Sequence, residues 1–150
     1  MNCMFMSCKF SKMFSLGNKF DTSSVVDMQN MFKGCSIPEG FSLEKLFNTI
    51  MVTDMKWMFA ECTLSEGFSL GELFDTRRVT DMFSMFNDCS MPKGFSLGEG
   101  FNIDRVLDMR RIFDGCTYND VNIYEYFKTQ DEELVIYRLK ELNQGEQGVL

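Results

Sequence analysis

Apolar positions in this chain return in fixed columns. Met4-Phe5, Met31-Phe32, Met58-Phe59, Met85-Phe86 and Ile112-Phe113 are spaced by a constant 27 residues. Asp27-Met28, Asp54-Met55, Asp81-Met82 and Asp108-Met109 keep the same step, as do Cys8, Cys35, Cys62, Cys89 and Cys116. Gly-Phe-Ser-Leu begins at Gly40, Gly67 and Gly94, and Phe20, Phe47, Phe74 and Phe101 form a further column. A gapless repeat held by apolar residues predicts a stack of units, each burying its hydrophobic side against the next.

Within one unit, Val25, Met28, Met31 and Phe32 fall at i, i+3, i+6 and i+7, the spacing of one face of a short helix. Thr22, Ser23 or Ser24 can cap its start, with Asp27 in the first turn and Gly34 at its end. The triplet Phe41-Ser42-Leu43 then reads as a very short strand, with Phe41 and Leu43 inward and Ser42 outward. Copies of it are expected to pair in parallel. Parallel strands stack about 4.8 Å apart, whereas packed helices need about 8–10 Å, so a stack containing both must bend. The expected fold is an α/β solenoid: a right-handed, leucine-rich-repeat-like stack of 27-residue units, with strands on the concave edge and helices on the convex edge. Five rungs are expected over residues 1–127, the first starting mid-repeat at Met1. Residues 128–150 are expected to supply a C-terminal capping helix (Asp131 to Asn143) and a tail.

The segments FDTSSVVDMQNMFKGCS and FDTRRVTDMFSMFNDCS resemble the repeats of BspA-type leucine-rich-repeat surface proteins, and most nearly a mycoplasma-lipoprotein-type repeat family of unknown function. The resemblance runs from Met1 to about Phe127. It implies a cell-surface or secreted protein that contacts host or cell-surface partners, and it carries over no catalytic residue. Two departures stand out. The chain opens inside a repeat, which points either to further sequence upstream or to a truncated copy. The last unit also loses one residue after Cys116, with Val121-Asn122-Ile123 in place of Phe-Ser-Leu.

Composition narrows the function. A net charge of −7 argues against a nucleic-acid partner, because phosphate binding needs a basic footprint. Histidine is absent, which removes histidine triads, bases and metal ligands together. No run approaches the ~18 apolar residues of a membrane-spanning helix, so no membrane insertion is expected. The N-terminus reads as a poor signal peptide.

Several residues look chemical and are read structurally. One thiol per rung does not converge four ligands for zinc, so the cysteine column is expected as buried free thiols. Cys3 falls outside that column and is expected to be exposed. A calcium ladder needs six to eight oxygens per ion, and one aspartate per rung falls short, so the aspartates are assigned to capping. The helical spacing of the methionines assigns them to the core. No metal or cofactor is expected, and no enzymatic activity.

The positions that differ between rungs are the candidates for contact with a partner. Lys56, Arg77, Arg78, Arg105, Arg110 and Arg111 are expected to gather around Trp57 and Phe83 on the convex side, a composition typical of interface hot spots. A solvated face is the plainer reading of the same residues. A second candidate is the concave row of Ser15, Ser42, Ser69, Ser96 and Asn122. The exposed first rung predicts self-association through its apolar edge. The leading functional expectation is a non-catalytic module binding an unidentified protein partner. The competing one is a cytoplasmic solenoid scaffold, or a gene fragment without a surface role.

Overall fold

The computed structural model describes residues 1–118, other than 13, 18, 42 and 44–46, together with residues 121 and 122. The Asp131–Asn143 segment, where the capping helix is expected, lies outside the described residues.

Consecutive units stack with the register that the repeat demands. Strands β1 (Ser36–Ile37), β2 (Thr63–Leu64), β3 (Ser90–Met91) and β4 (Thr117–Tyr118) pair in parallel and in order. Ser36 lies opposite Thr63, Thr63 opposite Ser90, and Ser90 opposite Thr117. A parallel bridge from Lys9 to Ser36 extends the ladder into the first unit. A fifth strand, β5 (Val121–Asn122), returns antiparallel along β4.

The strands fall a few residues before their expected positions. Phe41, Phe68 and Phe95 do not join the ladder; their amides close turns onto the carbonyls of Pro38, Ser65 and Pro92. The inward and outward assignment still holds there. Phe41, Leu43, Phe68, Leu70, Phe95 and Leu97 are buried, while Ser69 and Ser96 are exposed. Ser42 lies outside the described residues.

The larger difference concerns the expected helices. No residue of the described Asp21–Gly34 segment, or of its copies, is helical. The amides of Met28, Asn30, Phe32 and Gly34 donate to the carbonyls of Asp54, Lys56, Met58 and Ala60 in the next unit. Those of Met31, Lys33 and Cys35 close local turns onto Met28, Asn30 and Phe32. Turns of this kind can demand positive φ at their third residue. Asn30 has φ 55° and Gly34 has φ 70°, and the columns Trp57/Glu61, Ser84/Asp88 and Arg111/Gly115 repeat the pair. Two left-handed residues four apart break an α-helix. Phe5, Phe32, Phe59, Phe86 and Phe113 stack with neighbouring centroids 5.4–5.5 Å apart, well inside the ~8–10 Å at which helices pack. Without helices on one side, the reason given above for a bent stack lapses.

The core is a set of continuous columns. The Met28, Met31, Phe32 and Cys35 columns are almost completely buried from the second unit onward, while the Phe20 column is buried only at Phe47 and Phe74. A buried threonine ladder ties the corners. Thr22 Oγ1 donates to the Asn48 carbonyl (2.8 Å), Thr49 Oγ1 to that of Asp75 (2.8 Å) and Thr76 Oγ1 to that of Asn102 (2.6 Å). Asp21, Asn48, Asp75 and Asn102 each accept the amide two residues on through a side-chain oxygen. Thr22, one of the residues expected as a helix cap, is therefore a corner-forming residue.

Gly34 tests this backbone. Its Cβ position would lie 3.3 Å from Ser7 Oγ, and its φ is left-handed. Gly34→Ala is expected to lower stability by about 1–2 kcal/mol, measured by urea denaturation; an unchanged midpoint would contradict the positive φ.

Candidate functional site

The aspartate column positions the side chains around it. Oδ1 of Asp27, Asp54, Asp81 and Asp108 accepts the amide of Gln29, Lys56, Phe83 and Arg110 (2.8–3.1 Å). These bonds fix the turn and leave the second oxygens of Asp54, Asp81 and Asp108 to cations, while that of Asp27 accepts the Asn2 side-chain amide. Lys56 Nζ lies 3.0 Å from Asp54 and 3.3 Å from Asp81. That arrangement holds the ammonium above its usual pKa, chiefly through the hydrogen bond to Asp54. Arg110 closes a two-pronged contact on Asp108 (3.0 and 2.7 Å), and the Asp108 carboxyl is lowered mainly by that side chain.

Between these ion pairs lies an aromatic pair. Trp57 and Phe83 meet edge to face, with centroids 5.3 Å apart and planes at 89°. Arg110 Cζ sits 5.5 Å from the Phe83 ring centre. Lys33 Nζ sits 5.9 Å from that of Trp57 and is also 3.2 Å from Glu61. Both rings are half-buried, so each remains partly accessible.

Of the expected patch, the structure brings together Lys56, Trp57, Phe83 and Arg110. Arg77, Arg78 and Arg105 instead line an open cleft with Ile50, Asn102 and Asp104. Arg77 is held there by Asp75 (2.6 Å), whose carboxyl is lowered chiefly by this contact. Arg111 is exposed, in the left-handed column that also holds Trp57. Sequence reasoning missed Lys33 and the aspartates as members of the patch. Lys33 comes from the preceding unit, and only the cross-unit register places it over Trp57. The aspartates were read as caps, although a lysine two residues after one aspartate and opposite the next, as Lys56 is to Asp54 and Asp81, was a signal for bridging.

The serine row is only partly available for contacts. Ser15, Ser69 and Ser96 are exposed, but each hydroxyl accepts the amide two residues on, from Gly17, Gly71 and Gly98 (3.1 Å each). Ser69 borders a shallow depression of about 870 Å³ lined also by Glu72, Leu73, Glu99 and three glycines. Asn122 belongs to β5 and follows the antiparallel turn of the chain, not the parallel row.

All six cysteines are free thiols. Cys35, Cys62, Cys89 and Cys116 are buried, Cys8 is half-buried and Cys3 is exposed. No cluster of metal-ligating side chains occurs among the described residues.

A stack of 27-residue units with a half-buried aromatic pair set among ion pairs defines a repeat protein with one distinctive surface. The chain belongs to the family described as Mycoplasma protein of unknown function, DUF285, whose model matches residues 1–93 and again residues 43–147. No curated protein and no solved structure matches it significantly.

Proposed function

We propose that the chain is a non-catalytic interaction module: a repeat solenoid of the BspA-like surface type that contacts a protein partner through the Trp57–Phe83 surface. The observation that carries this is the backbone of Trp57. Its φ of 51° lies in the left-handed region, which is costly for a bulky residue and favours glycine or asparagine. The same column holds Asn30 and Ser84 in neighbouring units. The rung imposes this conformation in every described unit, with Cys3 and Arg111 completing the column; what sets Trp57 apart is a large aromatic side chain kept at such a position and left only half-buried. Tryptophan and arginine are also the side chains that most often dominate binding energy. A surface location and adhesion-type contacts are what the resemblance of the repeats to BspA-like proteins implies.

The test is Trp57→Asn. The variant is expected to keep its stability within about 1 kcal/mol, since relief of backbone strain offsets the lost ring contacts. Binding of the labelled chain to intact cells, followed by flow cytometry, is expected to weaken at least about tenfold. Unchanged binding would remove this surface from the interface.

A further inference from the structure

Arg78 and Arg105 stand in one column, a single unit apart, where the earlier units carry Ser24 and Met51. Both are exposed and both line the same open cleft of about 680 Å³. The backbone is tied across the two units on either side of them. Thr76 Oγ1 donates to the Asn102 carbonyl at 2.6 Å, and the Leu107 amide donates to the Thr80 carbonyl at 2.8 Å. The two side chains therefore leave backbones about one strand spacing apart, close to 5 Å.

Like charges placed opposite each other on adjacent strands repel. Elsewhere the fold answers such cations with carboxylates: Lys56 has Asp54 and Asp81, Arg77 has Asp75 and Arg110 has Asp108. The Arg78 guanidinium instead reaches Met51 Sδ at 3.5 Å. Among the described residues no carboxylate lies within ion-pair distance of Arg78 or Arg105. Asp104, the acid in the cleft lining, accepts the Asn102 side-chain amide at 3.0 Å. The cleft thus concentrates positive charge on a chain whose net charge is −7.

We propose that this cleft is an oxyanion site, in which a sulfate or phosphate group, free or as a terminal ester, sits between Arg78 and Arg105. A guanidinium offers a planar fork of N–H donors that matches an oxyanion's paired oxygens. Two forks from adjacent units supply donors on both sides, and the anion cancels their mutual repulsion. The site is open to water, so affinity for the bare ion is expected to be on the order of millimolar. The proposal is independent of the Trp57–Phe83 surface and stands or falls without it.

The test is a titration of the intact chain followed through its arginine Nε–Hε NMR signals. Sodium sulfate and sodium phosphate are compared with sodium chloride at matched ionic strength. The Arg78 and Arg105 signals are expected to shift and saturate with sulfate and phosphate but not with chloride. Arg78→Ala and Arg105→Ala are each expected to weaken binding at least tenfold, Arg105→Lys to weaken it less, and the exposed Lys93→Ala to leave it unchanged. Methyl phosphate binding as well as or better than inorganic phosphate assigns the site to an ester group, and weaker binding assigns it to the free ion. Unsaturated shifts equal to those with chloride, or binding that survives both alanine variants, would overturn the proposal.

Discussion

Replacing Phe59 by alanine is expected to remove about 3–5 kcal/mol of stability, the usual range for a fully buried phenylalanine. Phe59 is the middle ring of five. It stacks on Phe32 at 5.4 Å and 5° and on Phe86 at 5.4 Å and 7°, with its side chain fully buried. The units above and below are tied to its own by amide–carbonyl bonds on both sides of the ring, so they cannot close the gap without breaking the ladder. A cavity that cannot collapse keeps its full cost. Phe5, at the end of the same column and only half-buried, is expected to cost less than half as much on the same substitution. Urea denaturation of the two variants decides the point. Equal losses would mean that the column is not a load shared between units.

The difference between these two positions was legible in the sequence, because the 27-residue columns alone identify which phenylalanines have neighbours on both sides. The inward and outward assignment of Phe68, Ser69 and Leu70 was equally legible, since alternation along an extended segment does not depend on which of its residues pair. The conformation of the Asp21–Gly34 segment was not. Its inward positions, Met28, Met31, Phe32 and Cys35, fit both a helix and a succession of turns with left-handed residues. The choice between them rests on where the backbone amides find partners, and here they find the next unit. Asn30 and Gly34 were the available signal, as both residue types accept positive φ, but Trp57 and Glu61 in the next unit obscure it. The arginines read as one group divide in two for a related reason: Arg77, Arg78 and Arg105 sit at the threonine corner and line a cleft there, whereas Arg110 lies further along the rung, pinned to Asp108 beside Phe83.

Alkaline pH is expected to unfold the chain well before its surface chemistry would require it, through the cysteine column. Burial pushes the Cys35 thiol up to about 11, the Cys62 and Cys116 thiols up to about 12 and Cys89 well above its ordinary value. Cys62 and Cys116 donate their S–H to the carbonyls of Phe32 (2.9 Å) and Phe86 (2.6 Å), which favours the protonated form. In addition, Cys89 would meet the charges of Cys62 and Cys116 if all three ionised. In the unfolded chain a thiol titrates near 8.5. The native pKa is thus raised above the unfolded one, so the contribution is fully present below about pH 8.5 and is lost as pH climbs toward 12. Across that window the unfolded state binds fewer protons than the native state, and each thiol removes about 1.4 kcal/mol per pH unit. Four thiols together amount to roughly 5 kcal/mol between pH 9 and 10, comparable with the whole stability of a small domain. Urea midpoints measured under reducing conditions from pH 7 to 10 are expected to hold steady at first and then to fall steeply. Cys62→Ala is expected to reduce that slope by about one quarter, whatever it does to stability at pH 7. A slope identical in the variant would show that Cys62 ionises as readily in the folded chain as in the unfolded one, and that the column is open to solvent.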